Sequence, residues 1–202
     1  MLVDPATPAR PASLWEPGAG GSGAPGLPGT AGRTATLLLV ATTVATGLLA
    51  GFFYSYACSV MPGLARADDR TLVDGMQQIN EAILNPIFFL TFMGAPALNL
   101  ATWLVLRRAR GRDVRDDEVV RWILIGLGLS LLGFVVTMAL NVPLNDDLAA
   151  AGEPGKIADI AAVRDDFLGP WVVWNIVRAL AITGSFVALV WSLVLRGARN
   201  RD

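Results

Sequence analysis

Arg178, Asn175 and Trp171 sit at intervals of three and seven residues inside one apolar run, so a single helix face carries a guanidinium, a carboxamide and an indole. Trp174 flanks them. A second run ends in Asn141-Val142-Pro143-Leu144-Asn145, with Thr137 one helical turn before Asn141. A third is introduced by Gln77, Gln78, Asn80, Glu81 and Asn85. These segments bring amides, one carboxylate and one guanidinium to the same depth. A cation inside an apolar span must find partners, and intramembrane charges mark ligand or proton sites by default. Two readings compete. The group is either a binding or catalytic site, or a polar lock in which Arg178 pairs with Glu81 or the amides to fix helix register. Trp171, Trp174 and Tyr56 would then form only an interfacial aromatic belt.

The rest of the composition narrows the chemistry. The chain has no histidine, which removes serine–histidine–aspartate triads, histidine-ligated haem and the Glu-x-x-His di-iron site of helical bundles. Its one cysteine, Cys58, excludes an intramolecular disulfide, a thiolate zinc site or an iron–sulfur cluster within one chain. On residue type alone Cys58 is expected to be a small buried apolar residue. Formal net charge is -1, which gives no footprint for nucleic acid.

The elements that must position these residues are membrane helices. With 53% hydrophobic residues and a mean hydropathy of +0.52, the chain is too apolar for an ordinary soluble domain. Four runs, 34–60, 82–106, 120–140 and 171–195, each exceed the roughly 20 residues needed to cross a hydrocarbon core. They show no period-two alternation, so the expected fold is all-α: a transmembrane four-helix bundle with short amphipathic helices in the outer loops. Residues 34–196 form that domain. Residues 1–33 are Pro/Gly-rich and read as a disordered cytoplasmic tail, and 197–202 as a short basic tail. Arg10, Arg33, Arg107, Arg108, Arg110, Arg112, Arg115, Arg121, Arg196, Arg199 and Arg201 gather on one side, against Arg66, Arg70, Lys156 and Arg164 on the other. The basic side is cytoplasmic. Both termini therefore face the cytoplasm, in a multi-pass protein of the cell membrane.

Thr43, Gly47, Gly51, Ser55 and Ser59 make a small-residue stripe for close helix approach, and Gly126 and Ser130 repeat it. In the first outer loop Asp68 or Asp69 can cap a helix whose apolar face is Leu72, Val73, Met76, Ile79 and Ile83. Pro86 and Pro96 should bend the second span. Residues 145–166 are helix-permissive with a break at Gly152, Pro154 and Gly155.

The fragments Gly51-Phe52-Phe53-Tyr54-Ser55, Met61-Pro62-Gly63-Leu64, Met76-Gln77-Gln78-Ile79-Asn80, Asn85-Pro86-Ile87-Phe88, Asn141-Val142-Pro143-Leu144-Asn145 and Trp171-x-x-Trp174-Asn175-x-x-Arg178 occur in that order. Over residues 35–195 the chain resembles the anthrone oxygenase-like family of small four-span membrane proteins. The resemblance implies oxidation of an anthrone-like or phenolic aromatic by molecular oxygen, with no cofactor and no metal. Such chemistry needs apolar walls, a base and donors to an oxyanion. Arg178, Asn141 and Asn175 are the expected donors. Glu81 is the expected base, with Asp146 as the alternative. Phe88, Phe92 and Phe134 are expected walls, Trp171 and Trp174 stand at the mouth, and Asn145, Gln77 and Asn80 contact substrate. The partners implied are the bilayer, an apolar aromatic small molecule and a second copy of the chain. Two alternatives stay open: a small exporter, and a non-catalytic membrane assembly subunit.

Overall fold

The computed structural model describes residues 29–109 and 114–199, and among them there is no β-strand. The chain order is α1 (Thr30–Ser55), a wide π-helical turn (Tyr56–Val60), α2 (Met61–Leu64), α3 (Asp69–Ala82), α4 (Pro86–Ala109), α5 (Val114–Val136), a second π turn (Thr137–Asn141), α6 (Val142–Ala150) and α7 (Ile160–Arg199). Four stretches, Gly32–Leu64, Pro86–Ala109, Asp117–Ala150 and Ile160–Ala198, are long and apolar enough to cross a membrane. This is a multi-pass membrane protein built as a helical bundle. The tail expected over residues 1–33 lies, up to residue 28, outside the described residues, and α1 already begins at Thr30. The basic tail expected from residue 197 is helical through Arg199, and residues 200–202 lie outside.

Each long helix packs on two others: α7 on α1 and α5, and α4 on the same two helices. The ring is close-packed because glycines let backbones approach. A Cβ on Gly133 would lie 2.6 Å from Ile182 Cδ1, and one on Gly47 2.8 Å from Phe186 Cε2. Ser185 Oγ donates across the α5–α7 seam to Gly126 O at 2.7 Å. Thr42 and Thr102 hydroxyls share a 2.7 Å bond between α1 and α4. Such interhelical bonds contribute about 0.6 kcal/mol each in a bilayer. The small-residue stripe works over only half its length. Gly47 packs, whereas Gly51 and Ser59 are exposed, because α1 turns that face outward toward its C-terminal end. Cys58 is exposed too, against the expectation that it is buried.

At one end, α2, α3, α6 and the start of α7 form a cap. Asp68 begins α3 by accepting from Thr71 N at 3.0 Å, and the Thr71 hydroxyl donates to the other carboxylate oxygen at 2.6 Å. These two bonds hold the Asp68 carboxyl below the usual aspartate range. Leu72, Val73 and Met76 bury against Met61, Leu148, Phe167 and Trp171. Arg164 joins α7 to this cap through Asp69 and the Ala65 carbonyl. Pro86 does not bend a span. The helix breaks at residues 83–85, and Pro86 opens α4, where its missing N–H is no loss. Asn85 Oδ1 caps that start by accepting from Phe88 N at 3.0 Å. Pro96 and Pro170 lie inside helices, and α7 runs 40 residues straight through Pro170.

Both π turns end two residues before a proline. Met61 N donates to Tyr56 O ahead of Pro62, and Val142 N to Thr137 O ahead of Pro143. A proline ring collides with the carbonyl four residues back, and a five-residue turn moves that carbonyl aside. At Pro62 and Pro143 the chain thus accommodates proline by a widened turn.

Candidate active site

The two wide turns and the middle of α7 meet beneath the cap. Arg178 is 5% exposed. Its Nε donates to Asn175 Oδ1 at 3.1 Å, and an Nη reaches Thr137 Oγ1 at 3.5 Å. Its guanidinium carbon lies 4.4 Å from the Phe53 ring centre and 5.1 Å from that of Trp171. Asn175 Nδ2 donates to Phe53 O at 3.3 Å, anchoring α7 to α1. Asn141 Nδ2 donates to Trp171 O at 3.2 Å, and the Trp171 indole N–H donates to Asn145 Oδ1 at 2.8 Å. Arg178, Asn175, Asn141 and Asn145 are thus brought together with Trp171 as the link. Trp171 is 2% exposed, so it stands inside the cavity lining rather than out at its mouth.

The expected Arg178–Glu81 ion pair does not form: no carboxylate lies within ion-pair distance of Arg178 among the described residues. Glu81 is on the side of α3 opposite Leu72, which is the face turned to the core, and it is exposed at the rim. The guanidinium is therefore held by neutral partners alone. Of its five N–H donors, two have these partners.

Above Arg178 lies a cavity of about 950 Å³. Phe52, Phe53, Phe88 and Phe92 wall it, and Tyr56, Thr137 and Arg178 border it. Its rim is polar: Gln77, Asn80, Glu81, Asn145, Asp146 and Glu153. The aromatic wall is ordered, with Phe92 stacked on Phe88 at 5.4 Å and on Phe134 at 5.2 Å. Phe134 backs the wall without lining the cavity, and Trp174 also lies away from it. Gln77 lines the cavity while its amide donates to Leu148 O at 2.8 Å and Gly152 O at 3.0 Å, closing the end of α6. Asn80 Nδ2 and Asn141 Oδ1 are buried without a hydrogen-bond partner. Asn141 and Asn175 themselves are fully buried and stand behind the cavity wall.

Phe53 and Tyr56 belong to the site but were not singled out for it by sequence, and Thr137 was placed only on the face of Asn141, not against Arg178. The available signal was a proline following each of two like segments, which places Tyr56 and Thr137 alike at the start of a widened turn; π turns gather at functional sites. No group of three or more His, Cys, Asp or Glu side chains with metal-binding geometry occurs among the described residues.

Fold and site together define a multi-pass helical membrane protein with an aromatic-walled cavity over a buried, unpaired arginine. The sequence model of the anthrone oxygenase family matches residues 88–188, half of the chain, and the protein belongs to that family. No curated protein and no solved structure matches the chain.

Proposed function

We propose that the protein is an oxygenase that converts an anthrone-like or phenolic aromatic to its quinone with molecular oxygen. The observation that carries this reading is the unpaired Arg178 at the inner end of a cavity walled by phenylalanines. Burying a guanidinium without a counter-ion costs several kcal/mol. An anionic ligand oxygen in the cavity offsets that cost, and the phenylalanines accept the flat ring that carries it.

For an anthrone the reaction balances without a further reductant. A C–H proton passes to a base, leaving an anthrolate whose oxygen faces Arg178. Dioxygen adds at the carbanionic carbon and takes up a proton, forming a hydroperoxide. Loss of water from that C–OOH carbon gives the second carbonyl, so anthrone plus O2 yields anthraquinone plus water. Arg178 stabilises the developing oxyanion, the kind of contribution that is often the largest catalytic term. Asn175 and Thr137 position the guanidinium, and Asn141 with Asn145 holds Trp171 against it. Glu81 at the rim is the proposed base, with Asp146 as the alternative. The proposed setting is the cell membrane with both termini cytoplasmic, which puts the cavity in the outer half of the bilayer. Oxygen uptake by the purified protein with a panel of anthrones tests the reading. Uptake equal to the uncatalysed rate across the panel would overturn it.

A further inference from the structure

A second cavity, about 520 Å³, lies on the flank of the bundle between α1 and α4, beneath the break that precedes α4. Phe52, Tyr56, Ile79, Ile83 and Phe88 line both cavities. The partition between them is a set of ring contacts: Phe52 lies 5.5 Å from Phe88 and 5.0 Å from Tyr56, centre to centre. The flank lining adds Leu48, Leu49 and Ile87, and its polar members are Tyr56, Asn85 and Thr91. The amide of Asn85 is engaged in capping α4, and the Thr91 hydroxyl donates to Ile87 O at 2.9 Å. Leu48 is 63% and Ile87 80% exposed, on a surface that belongs to the membrane-crossing part of the chain. The rim of the main cavity, by contrast, is charged.

We infer that the apolar ring substrate enters the main cavity sideways from the bilayer, through the α1–α4 flank, with the Phe52–Phe88 contact as the door. This rests on reading the main cavity as an aromatic-ring site. The argument is one of partition. A neutral polycyclic ring concentrates in lipid, and passage over the rim would take it back through water and past Asp74, Glu81, Asp146 and Glu153. The flank offers continuous apolar surface instead. The partition parts by rotation of ring side chains, without breaking a backbone hydrogen bond. Ile83 closes α3, its N–H still bonded to Ile79 O at 3.0 Å, and regular winding is lost just beyond it at residues 84–85.

Access is measurable without turnover, so a failure here is separable from a failure of the oxygenase reading. In a Cys58→Ala background, Thr137→Cys places a thiol at the inner end of the main cavity. The full-length protein in nanodiscs is labelled with pyrene maleimide, an apolar polycycle that enters lipid, or with a membrane-impermeant disulfonated stilbene maleimide. Ala82→Phe and Thr91→Phe narrow the flank at residues that line only that cavity, whereas Ala149→Phe narrows the rim. Each flank variant is expected to slow pyrene labelling by about tenfold and to leave stilbene labelling unchanged, which also reports a folded rim. Ala149→Phe should do the reverse. Pyrene labelling that follows the rim variant, that ignores both flank variants, or that is absent from the Thr137→Cys protein overturns the inference.

Discussion

Replacing Arg178 with Met separates a site from a lock. Met keeps an apolar stem of similar length and removes the charge and every donor. The structure sets both sides of the energy difference. Lost are a 3.1 Å bond to Asn175, a marginal 3.5 Å contact with Thr137 and two ring contacts at 4.4 and 5.1 Å. A charged hydrogen bond contributes about 1.5–3 kcal/mol and each cation–π contact about 0.5–2 kcal/mol, so the loss is roughly 3–7 kcal/mol. Relieved is the burial of a cation with no carboxylate in reach, which also costs several kcal/mol. The two nearly cancel, so the unfolding midpoint in detergent should move by only a few degrees in either direction. Turnover behaves differently, because an oxyanion donor is worth about 10²–10³-fold in rate. The assay pairs thermal unfolding with oxygen uptake on the same preparation. A folded Arg178→Met variant that retains wild-type uptake refutes the assignment and leaves Arg178 as a helix lock. A variant that fails to insert refutes the energetic argument.

Gly133→Ala should destabilise by about 1–3 kcal/mol, since its Cβ would sit 2.6 Å from Ile182 Cδ1 and 2.8 Å from Cγ1, whereas Gly51→Ala, with no atom within 4 Å, should be neutral or stabilising; detergent unfolding of the pair checks this. Asp68 is held below its ordinary pKa when folded, so its cap contributes above the unfolded value of about 3.9 and is lost as pH falls through the lower, folded value. Hydrogen exchange over α3 should therefore quicken across that acid window in the wild type and show no such step in Asp68→Asn. Single cysteines at 108 and 150 in a Cys58→Ala background should label from opposite sides of right-side-out vesicles, with 150 outside. Labelling of both from one side would sink the orientation.

What the sequence made legible follows from how local each signal is. Four spans could be read because each apolar run alone satisfies the bilayer's length requirement. Helix α3 could be read because Leu72, Val73 and Met76 share a face and Asp68 precedes them as a cap. The Arg178–Asn175–Trp171 face is a property of one helix, and it stands in the structure as its spacing implies. What was not legible is what crosses between helices. Nothing in Phe53 or Thr137 taken alone announces contact with a guanidinium on α7. Glu81 looked like a counter-ion because it shares a depth with Arg178, but depth does not fix azimuth, and α3 turns Glu81 away. A proline such as Pro62 or Pro143 disturbs a helix, but its residue type does not say whether the helix kinks, stops or widens. The length of α7 was missed because its first turns, from Ile160, carry charges and fall outside the apolar run that begins at 171.

The widened turns also bear on how such a chain can arise. A π turn is an α-helix holding one surplus residue, and that surplus swings everything beyond it about a third of the way round the axis. Here the device occurs twice, in two spans that run in the same direction, each time with a hydroxyl-bearing residue first and a proline just past the end, and the interval from Tyr56 to Pro62 equals that from Thr137 to Pro143. A helical hairpin copied in tandem would leave this signature. The two turns differ in their hydroxyls, a phenol in one and an alcohol in the other, and both border the same hollow. Removing a single residue from either turn would restore ordinary winding and swing that hydroxyl out of register with the proline beyond it. Single-residue deletions at 56–60 or 137–141 are thus the smallest lesions that would dismantle the hollow while keeping every span long enough to cross the membrane.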